Sequence, residues 1–133
     1  MKLVVDTNRI IAALISNGVS RKILMDENFE FVTPAFSLVE IEKHREEIQK
    51  KAEVSHEEFI LLMSYLFERV AIISPEEYDP YIEEARMLIN DVSDVPFVAL
   101  SLAVGIGIWT DDAHFLQQKK MTIFRTKDLM LIK

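Results

Sequence analysis

The sequence predicts an α/β fold in which helices cover a parallel sheet of about five strands. Short apolar segments alternate along the chain with longer segments of helical periodicity, as expected for a parallel sheet. These short segments are apolar almost throughout, which is typical of strands covered on both faces. The chain has 133 residues, half of them hydrophobic, so one domain over residues 1–133 has enough apolar material for a core.

The first half of the chain contains two predicted strands and four predicted helices. Leu3 to Val5 is the first strand, and the helix Asn8 to Ile15 follows it and stops at Ser16-Asn17-Gly18. Ser20 is the predicted cap of a second helix, which runs through Met25, and a strand follows from Phe29 to Thr33, before Pro34. Ser37 is the predicted cap of a third helix, which continues through Ala52. A fourth helix begins at a capping box, Ser55 to Glu58. Three of these helices therefore have a serine as their predicted N-cap.

The second half of the chain contains three predicted strands and two main helical segments. The strands are Val70 to Ile73, Ile106 to Thr110 and Met121 to Phe124. The helical segments are Pro75 to Ile89, which Pro80 interrupts, and a helix that Asp94 starts, that tolerates Pro96 in its first turn and that ends at Gly105. Asp128 to Ile132 adds a short closing segment.

Composition and charge exclude several classes of protein. Without cysteine, the chain can form neither a disulfide scaffold nor a thiolate metal site, and its apolar segments are too short to span a membrane. The first eight residues reach an acid after only three apolar residues, so a signal peptide is not expected and the predicted location is cytoplasmic. The net charge of −7 argues against binding nucleic acid through bulk positive charge.

Acidic residues occur where the predicted strands end or the adjoining helices begin. Asp6 follows the first strand, Asp111 and Asp112 follow the fourth, Glu40 lies early in the helix after the second strand, Asp94 starts the helix before the fourth strand, and Asp91 precedes it by three residues. Ligands of parallel sheets bind at the carboxyl ends of the strands. We therefore expect most of these acids to gather at one edge of the sheet.

Each acid taken alone has a simpler structural interpretation. Asp6 and Asp94 are good helix N-caps, the pair Asp111-Asp112 suits an ordinary turn, and Glu40 suits a solvated helix face. Gathered at one edge, however, these carboxylates would repel each other strongly, so that either a cation neutralises them or they lie farther apart than expected.

A hard divalent cation fits this set of residues better than zinc does. Mg²⁺ and Mn²⁺ prefer oxygen ligands, whereas the chain has no cysteine and no paired histidine motif for zinc. One or two such ions would suit the hydrolysis of a phosphodiester bond. Thr7, Asn8 and Thr110 are candidates to fix carboxylates, water or phosphate by hydrogen bonds, and each is equally suited to a turn or cap.

Four motifs in this order resemble the PIN-domain nucleases, a family that includes the VapC-type toxins. The motifs are VVDTN around Asp6, LVEIE around Glu40, DVSDVPFVALSLA around Asp94, and WTDDAHF from Trp109 to Phe115. The resemblance covers essentially the whole chain. It implies a three-layer α/β/α sandwich around a parallel sheet of about five strands.

The resemblance also implies an activity and a set of site residues. Members are typically Mg²⁺- or Mn²⁺-dependent ribonucleases and are commonly dimers, so we expect an endoribonuclease with one or two ions, an RNA substrate and a homodimer. The matching positions are three acids (Asp6, Glu40, Asp94), a fourth acid read as Thr110-x-Asp112 with Asp111 as the neighbour that could replace it, an auxiliary acid (Asp91), and supporting polar residues (Thr7, Asn8, Thr110). The sequence around the fourth acid departs from that common in VapC toxins. This departure leaves open both the toxin subgroup and a small antitoxin partner.

Two other acid-rich α/β classes fit the sequence poorly, and one alternative stays open. A receiver-like domain needs an aspartate after its third strand, where this chain has Ser74 and Pro75. An aspartyl phosphatase needs a second aspartate two residues after the first, where this chain has Asn8. A PIN fold that binds RNA or protein without catalysis is the remaining alternative.

Three further features point to surfaces and partners. The helix Glu58 to Arg69 is apolar on more than one face, which suits either internal packing or contact with a second copy of the chain. The stretch Gln117 to Lys133 is basic and is the better candidate for contacting an RNA backbone. His114 is a candidate general base, although packing or capping near the turn is the simpler expectation.

Overall fold

Five parallel strands form one sheet in the order β3-β2-β1-β4-β5 in the computed structural model, which describes residues 1–132. The strands are β1 (Lys2–Val5), β2 (Glu30–Pro34), β3 (Val70–Ile73), β4 (Gly107–Trp109) and β5 (Ile123–Phe124). The chain builds one side of the sheet outward from β1 and then returns to pair β4 with the other side of β1. The strand order therefore reverses between β1 and β4, which is where parallel sheets form a ligand crevice.

Helices connect the strands and cover both faces of the sheet. Within residues 1–132, the α-helices are α1 (Thr7–Ile15), α2 (Val19–Leu24), α3 (Phe36–Lys43), α4 (Arg45–Ala52), α5 (His56–Phe67), α6 (Pro75–Tyr78), α7 (Ile82–Leu88), α8 (Val95–Val104) and α9 (Thr126–Leu131). Three short 3₁₀ segments complete the connections: Asp79–Tyr81, Val92–Asp94 and Ala113–Gln117.

The alternation of side chains along β1 divides the interior into two cores. Leu3 and Val5 pack with buried residues of α1, α2, α4 and α5, whereas Val4 packs with buried residues of α6, α7 and α8. Successive side chains of a strand point to opposite faces, so the two cores lie on opposite sides of the sheet. This arrangement is the predicted α/β/α sandwich.

The predicted strands are all present, and most of the predicted helices are as well. The strand ends differ from those predicted by one or two residues, which is usual for such assignments. The capping box is confirmed, because Glu58 N donates to Ser55 Oγ at 3.1 Å and Ser55 N donates to Glu58 Oε1 at 2.9 Å. Gly105 ends α8 in the left-handed conformation, with φ 69°. The helical segment after Pro75 is interrupted at Pro80, as predicted.

Three predictions about helix starts and continuity are wrong. Ser20 and Ser37 lie inside α2 and α3 instead of capping them, because both are buried there and their hydroxyl groups make tertiary hydrogen bonds. The helix predicted to continue through Ala52 breaks at His44, which separates α3 from α4. At Asp6 and Asp94, which occupy N-cap positions, the side chains make no capping hydrogen bond.

Helix α5 packs on one side only. Phe59 and Leu66 are buried, whereas Ile60, Leu61 and Tyr65 are exposed, Leu61 by 71%. Internal packing therefore accounts for only part of its apolar surface. Among the helices of residues 1–132, none has both the length and the apolarity needed to cross a membrane.

Candidate metal centre

Strands β1 and β4 place Asp6 and Thr110 side by side at the carboxyl edge of the sheet. Val5 pairs with Trp109, so the residue that follows each strand leaves the sheet at the same level. Thr110 Oγ1 donates to Asp6 Oδ2 at 2.7 Å, and the backbone N of Asp112 donates to Thr110 Oγ1 at 3.0 Å. The Thr110 hydroxyl, which is fully buried, therefore connects Asp6 to the loop that carries Asp112.

The start of α1 and the second turn of α3 meet through three polar side chains. Thr7 Oγ1 donates to Glu40 Oε1 at 2.6 Å and lies 2.9 Å from Ser37 Oγ. Because a hydroxyl has a single proton, Thr7 donates to Glu40 and accepts from Ser37. Ser37 and Glu40 are three residues apart on one face of α3, so that both reach Thr7. Glu40 is consequently held toward the same edge as Asp6.

Asp91, Asp94 and His114 form a third group at this edge. One ligand atom from each residue lies within 4.8 Å of the other two. Asp94 is 7% exposed, and its Oδ2 is buried without a hydrogen-bond partner among the described residues. Asp91 is exposed, and its Oδ1 accepts from Ser93 N at 2.9 Å and Ser93 Oγ at 2.8 Å. These three residues could hold a metal ion.

In four of the acids, one carboxylate oxygen accepts a hydrogen bond from the described residues and the other oxygen does not. The anchored atoms are Asp6 Oδ2 by Thr110, Glu40 Oε1 by Thr7, Asp91 Oδ1 by Ser93, and Asp112 Oδ1 by the backbone N of His114 at 2.9 Å. Within residues 1–132, the second oxygen of each has no hydrogen bond to protein. Each carboxylate is thus oriented by one oxygen and retains lone pairs on the other for a ligand.

Burial and mutual repulsion raise the pKa values of the central acids. Burial raises the pKa of Asp94 to about 7, and the negative charges of Asp91, Asp112 and Asp6 add to the shift. Burial raises the pKa of Asp6 to about 6 against the opposing effect of the Thr110 hydrogen bond, and Glu40 and Asp112 contribute. Burial also raises the pKa of Glu40, although its hydrogen bond from Thr7 opposes the shift. These shifts indicate negative charge concentrated in a partly buried space.

Asp111 is engaged differently from its neighbour Asp112. Its carboxylate accepts from Thr126 N at 2.8 Å and from Thr126 Oγ1 at 2.6 Å, and Arg9 Nη1 lies 2.9 Å from its Oδ2. Burial acts to raise its pKa, but these hydrogen bonds and the Arg9 charge together hold the pKa below its usual value. Asp111 therefore connects the loop after β4 to α9 and α1, with both oxygens in use.

One structural observation indicates that these acids suit a divalent cation. A buried carboxylate oxygen without a partner is costly, and Asp94 Oδ2 is such an atom. The groups around it are mostly further carboxylates, which cannot compensate it by donating hydrogen bonds when ionised. A cation would neutralise this charge, and carboxylate oxygens are the ligands that Mg²⁺ and Mn²⁺ prefer.

A family model described as "PIN domain" matches residues 4–128 of the sequence. The chain belongs to the PIN-domain family. The match runs from β1 into α9 and includes every acid at the carboxyl edge of the sheet. A search of curated proteins found no match.

Solved structures with the PIN fold of this chain include two VapBC structures. One is VapBC2 from Rickettsia felis bound to a DNA fragment from their promoter, with a TM-score of 0.74 and 17% identity, covering 94% of this chain and 98% of the other. The second is VapBC-1 from nontypeable Haemophilus influenzae, with a TM-score of 0.66 and 17% identity, covering 96% and 99% of the two chains. At this identity the likeness extends to the fold, which agrees with the predicted parallel sandwich.

Most of the polar residues predicted for the site lie at the carboxyl edge of the sheet, but the side chains of Asn8 and His114 differ from expectation. Asn8 is exposed, and its side chain makes no hydrogen bond within residues 1–132. His114 was expected to pack or cap near the turn, but its side chain is 60% exposed and its Nδ1 lies 3.3 Å from Asp112 Oδ1. The imidazole therefore faces the acids and solvent instead of the core.

Sequence reasoning missed residues that orient the PIN-domain acids. Ser37 and Ser93 contact Thr7 and Asp91, and Arg9 pairs with Asp111. Ser93 follows Asp91 at the two-residue offset of an Asx-turn, so this contact could have been predicted from the sequence. The Arg9 and Ser37 contacts join segments distant in sequence, so no local pattern predicts them. Lys133, the last residue of the basic stretch, lies outside the described residues.

Proposed function

We propose that this chain is a metal-dependent endoribonuclease, with the nuclease domain spanning residues 1–133. The observation that carries the proposal is the buried, unpartnered Oδ2 of Asp94 among Asp6, Asp91 and Asp112 at the switch point of the sheet. A stable fold tolerates such a group when a cation compensates it. Membership of the PIN-domain family supports the same chemistry.

Asp6, Asp94 and Asp112 are the residues that we assign to the cation, with Glu40 completing the set and Asp91 as an auxiliary ligand. A bound Mg²⁺ or Mn²⁺ would supply a nucleophile for attack on a phosphodiester, because it lowers the pKa of water, and would neutralise charge on the departing oxygen. The free oxygens of Asp6 and Asp112 suit binding because Thr110 fixes the first carboxylate and the loop of the second. The raised pKa of Glu40 suits proton exchange with water at this edge.

Asp112, rather than Asp111, is the residue that we propose as the fourth acid. The carboxylate of Asp111 already has Arg9 and Thr126 as partners, which reduces its capacity to bind a cation. Asp112 retains a free oxygen and raises the pKa values of both Asp6 and Asp94 by its charge. Thr110 serves in this proposal as a supporting residue that orients Asp6, and Thr7 orients Glu40.

A cleavage assay on mixed RNAs tests the proposal. Wild type is expected to cleave RNA with Mn²⁺ and to stop when a chelator is added, whereas Asp94→Asn is expected to lose cleavage with its circular dichroism spectrum unchanged. Asp79→Asn, at an exposed position in a 3₁₀ segment, is the matched control and should cleave like wild type. Equal cleavage by wild type and Asp94→Asn would refute the assignment. Cleavage by neither would favour a PIN module that binds RNA or protein without catalysis.

The proposed partners are a small antitoxin protein and a second copy of this chain. The structural neighbours are VapBC structures, which supports an antitoxin partner. The exposed apolar face of α5, formed by Ile60, Leu61 and Tyr65, supports contact with another protein surface. Light scattering at high concentration should give the mass of a dimer for wild type and for Met87→Glu, an exposed position on α7 across the sheet from α5, and of a monomer for Leu61→Glu. A monomer in wild type would remove the dimer proposal.

RNA is expected to approach the acids through the basic C-terminal segment. Lys119 and Lys127 are exposed, whereas the ammonium group of Lys120 already pairs with Glu84. Loss of a phosphate contact should weaken binding and lower its salt dependence. Lys127→Gln should therefore raise KM more at low salt than at high salt.

A further inference from the structure

His114 places an imidazole beside the acids, and the proposed chemistry gives this imidazole no role. One of its nitrogens lies within 4.8 Å of a carboxylate oxygen of Asp91 and of Asp94, and those two oxygens also lie within 4.8 Å of each other. Its side chain is 60% exposed, so packing does not explain its position. Its contacts and location therefore raise the question of a ligand.

The second observation is the state of the Asp94 carboxylate. Asp94 is 7% exposed, and its Oδ2 has no hydrogen-bond partner among residues 1–132. Within the described part of the chain, neither Asp91, when ionised, nor any backbone N–H supplies the missing donor. A buried acceptor in this position needs a positively charged or donating group that the described residues do not provide.

The other two groups keep lone pairs available at this point. Asp91 uses only Oδ1 for its hydrogen bonds to Ser93, which leaves Oδ2 free. His114 Nδ1 lies 3.3 Å from Asp112 Oδ1, so that a proton on Nδ1 leaves the lone pair on Nε2. A carboxylate behind an imidazole is the usual arrangement for a histidine that binds a metal, because it fixes the tautomer and increases the basicity of the other nitrogen.

The three side chains lie close enough together to reach one small cation after small rotations. Ligands about 2.1 Å from an octahedral ion lie roughly 3 Å apart when adjacent and about 4.2 Å apart when opposite. The three atoms, within 4.8 Å of one another, need only small side-chain rotations to reach these values. Asp91 is on a surface loop and His114 is exposed, so both side chains can make such movements.

We propose that Asp91, Asp94 and His114 form a second cation site that takes a divalent transition-metal ion, Mn²⁺ in preference to Mg²⁺. The site deepens the proposed nuclease function and rests on it in one respect, since Asp94 would be shared with the ion held by Asp6 and Asp112. The preference follows from the imidazole, because nitrogen ligands suit transition metals whereas Mg²⁺ keeps to oxygen and water. His114 acts here as a ligand and Asp112 as the residue that orients it.

Binding of Mn²⁺ to the full chain, measured by electron paramagnetic resonance, tests the proposal without requiring activity. Wild type is expected to bind two Mn²⁺ ions, one of which shows the modulation of a coordinated imidazole nitrogen. His114→Ala should lose this nitrogen signal and weaken one of the two sites by about ten-fold or more. The competing affinity for Mg²⁺ should change much less. His56→Ala, an exposed histidine on α5, is the matched control and should bind like wild type.

Two results would overturn the proposal. One is a wild-type Mn²⁺ spectrum without nitrogen modulation, which does not depend on the folding of any variant. The other is a His114→Ala isotherm that superimposes on that of wild type. If either occurs while Asp94→Asn still abolishes cleavage, the nuclease proposal stands and the histidine site fails. If no RNA is cleaved but the nitrogen signal is present and requires His114, the site stands and the nuclease proposal fails.

Discussion

Replacing Asp94 by asparagine should stabilise the metal-free protein, and by an amount that grows with pH. The substitution keeps the shape of the side chain and removes a charge that the fold buries without a partner. In the folded protein the pKa of Asp94 is raised from 3.8 to about 7, mainly by burial. The buried charge of Asp94 therefore opposes folding at every pH at which its carboxyl group is ionised.

The sign of the pH dependence follows from the direction of the shift. Because the folded state holds this proton up to a higher pH than the unfolded chain does, the stability contributed by Asp94 is fully present below pH 3.8 and is lost as the pH rises to about 7. The difference amounts to about 4 kcal/mol at pH 8 and about 2 kcal/mol at pH 5. The gain from Asp94→Asn should therefore be about 2–3 kcal/mol larger at pH 8 than at pH 5.

Urea unfolding in the presence of a chelator measures this difference directly. Free energies of unfolding for wild type and Asp94→Asn would be compared at pH 5 and pH 8, with equal m-values as the check that the unfolded state is unchanged. An unpaired asparagine amide adds a penalty that does not vary with pH, so it cancels in the comparison of the two pH values. Asp79→Asn should show no difference between them.

Saturating metal provides the second half of the test. Mn²⁺ at one hundred times its Kd should raise the stability of wild type by about 2.7 kcal/mol and that of Asp94→Asn by much less. The reasoning is refuted if Asp94→Asn shifts the stability of the metal-free protein by the same amount at pH 5 and pH 8. That result would mean that ionised Asp94 is compensated within the protein itself.

Four further substitutions test Thr110, the adjacent acids Asp111 and Asp112, and the N-cap Ser55. Thr110→Val removes the hydrogen bond to Asp6 and should lower the free energy of unfolding by about 1–3 kcal/mol, measured in urea. Asp111→Asn should reduce stability by about 1 kcal/mol and have only a small effect on Mn²⁺ affinity, measured by titration. Asp112→Asn should weaken Mn²⁺ binding about ten-fold or more in the same titration. If Asp111→Asn weakened binding more than Asp112→Asn did, Asp111 would be the fourth acid. Ser55→Ala breaks the capping box and should lower the melting temperature of the protein, for a loss of about 1 kcal/mol.

The sheet could be predicted from the sequence because its strands carry a strong local signal. β1, β2 and β4 are buried on both faces, so each appears as an apolar run ended by a polar or turn-forming residue. Gly105 and the Ser55 capping box are local as well, since a helix end depends on a few neighbouring residues. Alternation of such segments then indicates the parallel sandwich.

Helix starts were predicted less well where the side chain of the expected cap makes a hydrogen bond to a residue distant in sequence. Ser20 and Ser37 are of a favoured N-cap type, yet their hydroxyl groups contact Arg9 and Thr7 instead. Similarly, Asp6 occupies an N-cap position, but its Oδ2 accepts from Thr110, over a hundred residues away in sequence. A local rule cannot weigh such distant partners against the cap.

The acids show where a sequence argument about a site ends and a structural one begins. The sequence places carboxylates after strands and thereby predicts that they converge, but it treats adjacent Asp111 and Asp112 alike. Their roles separate only through long-range contacts, because Arg9 and Thr126 use both oxygens of Asp111 while Asp112 keeps one free. The distinction that matters is therefore the number of oxygens left without a donor, and by that measure Asp94, whose buried Oδ2 has no donor among residues 1–132, is the residue that most requires a cation.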